Sequence, residues 1–249
     1  MSRTIIWYSD GAASTVAGML TLKNNPSAIP VYTATNSEHT DNVRYRKEVE
    51  DKLFHKKVLV LQSKKYKDIW DVFEKTGWLV GPNGARCTTE LKKKLRQKFQ
   101  RVDDVHVFGY TADSRDAKRA LKFKRNNFEL IVKFPLIDRG LTKSDCLEIV
   151  RQQGIEIPEM YKLGYPNNNC IGCVKAGQRY WARIRRTHPD VFERMSKVER
   201  KLNVAINKKE IDGERIKVFL DELPEEIDIT EPEQSVSCGL FCGQYLDEE

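Results

Sequence analysis

The stretch Thr4-Ile5-Ile6-Trp7-Tyr8 runs directly into Ser9-Asp10-Gly11-Ala12-Ala13-Ser14. Five apolar or aromatic residues read as a short buried strand, and the periodicity that follows predicts a helix over residues 14–23. A strand that breaks into a small-residue loop and then a helix is the geometry that holds a phosphate. Small side chains let the ligand approach the backbone, and the loop amides and helix N-terminus carry partial positive charge. Ser9 and Ser14 add hydroxyl donors. The same pattern can also serve tight packing alone, so the rest of the chain has to discriminate.

Working outward, strand and helix patterns alternate. Strands are expected at 4–8, 29–34, 57–62, 104–109 and 129–134, and helices at 14–23, 41–54, 66–75, 88–99, 114–122, 142–153, 178–186 and 189–202. Interleaving of this kind predicts an α/β fold with a doubly wound, mostly parallel five-stranded sheet. Ligands of such sheets bind beyond the C-terminal strand ends, which singles out the loops 9–14, 35–40, 81–88 and 109–115. Pro135 closes the fifth strand. Thr142 is a good N-cap for a helix ending near Gly154. Residues 155–175 read as an extended loop, a basic helical pair follows, and the acidic segment 221–237 reads as a tether. Residues 1–140 are therefore expected to form a nucleotide-binding domain, and 141–249 a helical C-terminal region with metal-binding cysteines.

The 249 residues are 40% hydrophobic and 32% charged, ordinary for a globular chain with a sizeable core. No apolar run is long enough to span a bilayer and no signal-peptide pattern opens the chain, so a cytoplasmic protein with no membrane partner is expected. The net charge of +7 concentrates in Lys92-Lys93-Lys94 with Arg96, in 115–125 and in 179–186. Basic segments of this kind suit a nucleotide or a nucleic acid, though each alone is equally a solvated face.

Four groups of residues carry chemistry. Cys170-Ile171-Gly172-Cys173, with Cys238 and Cys242 near the C-terminus, can supply four thiolates to zinc or an iron–sulfur cluster. Cys146 sits in an apolar pattern and reads as core. Cys87, beside Arg86 at a helix start, could be a ligand or a nucleophile, and Lys92 lies one turn on, within reach of a phosphate or sulfate. Gly109-Tyr110-Thr111-Ala112-Asp113-Ser114-Arg115 follows a strand, and Arg115 with Arg119 shares a helix face at i,i+4 and could clamp an anion. In Thr35-Asn36-Ser37-Glu38-His39, Glu38 is a candidate magnesium ligand or ribose contact, whereas His39 reads as surface.

Taken in order, these segments resemble the phosphoadenylylsulfate (PAPS) reductase family of the PP-loop, or adenine nucleotide α-hydrolase-like, superfamily. Residues 9–14 stand where the family has S-G-G-x-D-S. Arg86-Cys87 through Lys92 resembles its C-x-x-x-(R/L)-K element, and Gly109 to Arg119 its G-x-R-x-x-E-S segment. Pro135-Leu136-Ile137-Asp138 with Thr142 to Asp145 resembles P-L-x-D-W-T-x-x-D-V. Tyr161 to Pro166 with Cys170 to Cys173 resembles L-Y-x-x-G-Y followed by C-x-x-C. The C-I-G-C-V-K and C-G-L-F-C elements are similar to those of bacteriophage proteins of this kind, which would place the chain in a host cytoplasm. The chain departs from the motifs at Asp10 (a glycine position), Ala13 (the aspartate position), Thr111 (arginine) and Arg139 (tryptophan). An aspartate at position 10 is expected to repel a phosphate set deep in the loop.

The resemblance implies an adenine nucleotide, ATP or PAPS/adenylylsulfate, bound at Ser9, Asp10, Gly11, Ala12, Ala13 and Ser14. Glu38, Gly109, Tyr110, Arg115 and Arg119 would help, possible Mg2+ included. It implies one of two chemistries: reduction of an adenylylated sulfate, or nucleotide-dependent sulfur or group transfer. Cys238 resembles the reductases' C-terminal catalytic cysteine, and Lys92 is the second catalytic candidate. The resemblance also implies a 4Fe-4S cluster or Zn2+. Cys87 stands 83 residues before Cys170, the family's separation for a shared cluster, so Cys87, Cys170, Cys173, Cys238 and Cys242 compete for four places. Further expected partners are a nucleic acid or nucleotide acceptor and a second copy of the chain. The alternative is a non-catalytic nucleotide- or nucleic-acid-binding protein with a structural metal.

Overall fold

The computed structural model describes residues 2–81, 84–211 and 213–230. Cys238 and Cys242 lie outside the described residues. The contacts separate the described chain into two units. One comprises residues 2–34, 40–62 and 95–159, and the other 35–39, 63–81, 84–94, 160–211 and 213–230. Both draw on sequence either side of position 140.

The first unit holds the sheet. Strands β1 (Thr4–Tyr8), β2 (Ile29–Thr33), β3 (Leu59–Leu61), β4 (Val105–Val107) and β5 (Ile131–Lys133) lie in the order β3-β2-β1-β4-β5. Every pairing is parallel, with Ile5 opposite Ile29 and Thr4 opposite Val105. The β1 run is the most deeply buried: Ile5, Ile6, Trp7 and Tyr8 are all core residues, as expected of a central strand covered on both faces. The order reverses between β1 and β4. The connections leaving these two strands run to opposite sides, which opens a crevice at their C-terminal ends.

Helix α1 (Ala12–Asn24) begins two residues before the sequence expectation and follows β1. It is small and apolar on several sides because it is packed on several sides; the ring of Phe54 lies where a side chain at Gly18 would have to go. Helices Asn42–Val49, Ser114–Asn126 and Lys143–Gln152 complete this unit's outer layer. The last opens with the expected cap. Thr142 accepts from the Asp145 amide, and the Asp145 carboxylate accepts from the Thr142 amide. Cys146 is fully buried here, and burial pushes its thiol up to about 12, which suits a core residue.

The second unit is helical around one apolar cluster, with Trp181, Phe73, Leu79, Leu91, Met160, Ile184 and Leu220 at its centre. Gln178–Thr187 and Pro189–Leu202 are the anticipated basic helical pair. A hairpin that the sequence did not announce follows, β6 (Asn207–Ile211) against β7 (Glu214–Val218). Among the described residues no helix is long and apolar enough to cross a membrane.

Candidate functional site

In the first unit the loop after β1 is shaped by its own hydroxyls. The Ser14 hydroxyl donates to the Gly11 carbonyl (2.9 Å) and accepts from the Ser9 amide and the Ser9 hydroxyl (3.1 Å each). The two serines expected to reach outward therefore first close the turn on itself. Gly11 is the extended residue before α1. Being glycine, it offers no side-chain cap, and the first turn of the helix carries no acid of its own.

Asp10 adopts φ +55°, the left-handed region in which glycine is most at ease. This is a physical reason for glycine at the matching motif position. Aspartate is among the few other residues that tolerate it. Its carboxylate is fully buried and gripped by Arg46 from helix Asn42–Val49. Arg46 Nε donates to Oδ1 at 2.9 Å, and the second nitrogen donates to Oδ2. Burial alone would lower the Arg46 pKa, but the hydrogen bonds and charge of Asp10 hold it well above its ordinary value. The guanidinium also lies over the Tyr32 ring, 3.8 Å from its centroid. The expectation that Asp10 simply repels a phosphate is thus corrected: its charge is met inside the protein.

The loop after β4 meets this turn backbone to backbone. A methyl group at Gly109 would lie 2.8 Å from Ser14 Cα and N and 2.9 Å from the Ala13 carbonyl carbon, so only glycine fits. The loops 9–14 and 109–115 are thereby brought together at the sheet's switch point. Farther along, Thr111 is buried and its hydroxyl turns to Asp113 (2.7 Å) and Asp116 (3.2 Å). Arg119 pairs with Asp116 at 2.8 Å and lies over the Tyr110 ring, whereas Arg115 is exposed. The two arginines that share a helix face in sequence therefore sit in different surroundings.

In the second unit the Cys170–Cys173 turn is built around Tyr180. The Tyr180 hydroxyl accepts from the amides of Gly172 (3.0 Å) and Cys173 (3.2 Å) and donates to the Cys170 carbonyl (2.9 Å). Gly172 takes φ +85° with Val191 and Trp70 close by. Both cysteines are buried, and neither is in a disulfide among the described residues. Cys170 Sγ lies 2.9 Å from Thr35 Oγ1, which in turn donates to Glu38 Oε1 at 2.6 Å. Glu38 also accepts from the Thr35 and Ser37 amides, so the carboxylate expected beside a nucleotide or magnesium is bonded to its own loop and stands next to Cys170. His39 is half-buried and meets the His188 ring edge-on.

Cys87 occupies the first turn of Arg86–Thr88, half-buried against the apolar cluster, and Lys92 lies in the π-helical turn Thr89–Lys93. Arg86, expected to polarise Cys87, is paired with the buried Glu90 at 2.9 Å, which also holds Lys94. Among the described residues no three His, Cys, Asp or Glu side chains gather as a metal ion requires. They fit half of a four-thiolate centre, the Cys170–Cys173 turn, and Cys238 and Cys242 lie outside them. Sequence reasoning missed Arg46 and Tyr180. The only signal for Tyr180 was a hydroxyl-bearing ring at a buried helix position, which needs a partner.

The family model described as the phosphoadenosine phosphosulfate reductase domain matches residues 3–179. That span contains both the loops at the switch point and the Cys170–Cys173 turn. A search of the curated proteins gave no match.

Proposed function

We infer that this chain, which belongs to the phosphoadenosine phosphosulfate reductase family, takes an adenylylated sulfate across the loops that follow β1 and β4 and reduces the sulfate it carries. The observation that carries this reading is the contact of Gly109 with the Ser14 and Ala13 backbone. It leaves a crevice floored by main chain, where phosphate oxygens can approach amides and the N-terminus of α1.

The choice of sulfate reduction over ATP cleavage rests on the carboxylates that were candidates for a metal. Position 13 is alanine, Asp10 is bonded to Arg46, and Glu38 is bonded to its own loop. A magnesium–ATP complex would look for such groups. An adenylylated sulfate carries fewer phosphate charges and has less need of a metal. In the step proposed, the Cys238 thiolate attacks sulfur, the S–O bond to the nucleotide breaks, and the nucleotide leaves as its 5′-phosphate. A second thiol from an external dithiol then displaces sulfite and forms a disulfide with Cys238. An iron–sulfur or zinc centre would take Cys170 and Cys173 and complete its set from Cys87 and Cys242, which keeps Cys238 for the attack on sulfur, and it would tie these cysteine segments together.

The test is a product assay on the full chain with dithiothreitol. Adenylylsulfate or its 3′-phosphorylated form should yield sulfite and nucleotide without added magnesium, and Cys238→Ser should abolish the yield. Release of pyrophosphate from ATP, with no sulfite from either sulfonucleotide, would overturn the reading.

A further inference from the structure

The helix Ser114–Asn126 carries Arg115, Lys118, Arg119, Lys122, Lys124 and Arg125 against a single acid, Asp116. Asp116 and Arg119 are already paired. Ala120 and Phe123 are the buried residues of this helix, so the opposite side faces solvent. At 3.6 residues per turn, Arg115, Lys118, Lys122 and Arg125 fall along one stripe of that outer side. Arg115, Lys118 and Arg125 are exposed, and Lys122 is half-buried beside them. The stripe places like charges three and four residues apart, an arrangement that destabilises a helix rather than supporting it. Its N-terminal end adds Arg115 to a dipole that is already positive there. Such a row matches a partner that carries a row of negative charges.

Two large apolar side chains accompany the cations. Leu121 is 66% exposed on the same outer side, and Phe128 is 88% exposed just past the helix end. We propose that this ridge is a docking surface for single-stranded nucleic acid, with the cations on successive phosphates and Phe128 stacking on a base. The stripe from Arg115 to Arg125 is about 15 Å long at 1.5 Å per residue, too long for one small anion and suited to several phosphates. Base–aromatic stacking needs an unstacked base, which selects a single strand over a duplex. An anionic membrane would need a broad apolar face to insert, and the apolar face of this helix, Ala120 and Phe123, is turned into the protein.

The test is fluorescence anisotropy of the full chain with a labelled oligothymidylate between about 50 and 200 mM salt. The wild-type chain should bind with an affinity that falls steeply as salt rises. The triple variant Lys118→Gln/Lys122→Gln/Arg125→Gln should lose at least about tenfold in affinity and about two units of the salt slope, with its melting temperature no lower than that of the wild type. Phe128→Ala should weaken binding and leave the slope intact. Lys208→Gln/Lys209→Gln/Lys217→Gln on the β6–β7 hairpin removes the same charge elsewhere and should bind as wild type. No binding, an equal loss in the hairpin variant, tighter binding to the matching duplex, or preferential binding to phosphatidylserine vesicles would each overturn the proposal.

Discussion

Replacing Arg46 by methionine removes the two-pronged guanidinium partner of the fully buried Asp10 carboxylate in the candidate anion loop, while keeping most of the side chain's bulk over Tyr32. Breaking a buried ion pair from one side costs about 3–5 kcal/mol, because the remaining charge is left desolvated. The Arg46 side chain retains 18% exposure, so some water can reach the remaining carboxylate and the low end, about 3 kcal/mol, is the expectation. For a chain of this length that is a fall in melting temperature of about 6–12 °C. The loop should suffer as well, since an uncompensated negative charge would face any phosphate placed there. The informative comparison is the double variant Asp10→Gly/Arg46→Met. Glycine accepts the φ of +55° without strain and removes the charge, so stability and adenylylsulfate affinity should both recover most of their loss. Differential scanning fluorimetry and equilibrium dialysis supply the two readouts. A single variant that melts with the wild type, or a double variant worse than Arg46→Met alone, would refute the claim that Arg46 neutralises Asp10 within the loop.

Other outcomes follow from the same geometry. Gly109→Ala forces a methyl group against backbone atoms 2.8–2.9 Å away, and should cost about 1–3 kcal/mol and most of the nucleotide affinity, read by melting and dialysis. Tyr180→Phe leaves two buried amides and a carbonyl of the cysteine turn without their partner. It should lower stability by about 1–3 kcal/mol in urea titration and reduce the metal content of anaerobically purified protein. Glu199 is fully buried and accepts from the Ile206 and Leu220 amides, and burial raises its pKa from 4.5 to about 7. A raised carboxyl pKa means the folded state holds its proton longer. Stability should therefore decline as pH climbs through about 4.5 to 7, and Glu199→Gln should flatten that decline in melts across the range. Cys146 should resist iodoacetamide at pH 8 until the protein unfolds, as mass spectrometry of the labelled chain would show.

The five parallel strands were legible because each is a short apolar run set between helical patterns. Burial explains that mark in the central strands β1, β2 and β4, whereas the edge strands β3 and β5 carry it although they are mostly exposed. The β6–β7 hairpin does not carry it, since its strands read Asn-Lys-Lys-Glu-Ile and Glu-Arg-Ile-Lys-Val, charged and mostly exposed. Local signals also located the loop 9–14, the Thr142 cap and the buried Cys146. What escaped were partnerships across the chain. Asp10 looks like an intrusive charge until Arg46, 36 residues on, is seen to hold it. Arg86 looks like an unengaged neighbour of Cys87 until Glu90, one turn on, is seen to pair with it. The arginines of Gln178–Thr187 look like an anion patch, yet Arg183 and Arg185 donate to the backbone carbonyls of Leu163, Ile229, Leu220, Leu223 and Pro224. Residue type gives a charge, but only the fold gives what meets it.

The central claim, that an adenylylated sulfate lies across the loops following β1 and β4, is most directly tested by hydrogen exchange of the full chain with and without adenylylsulfate. Slower exchange at residues 9–14 and 109–111, with β3 and the β6–β7 hairpin unchanged, is the predicted result. Saturating ligand that leaves residues 9–14 exchanging at their free rate, with protection elsewhere, would contradict it.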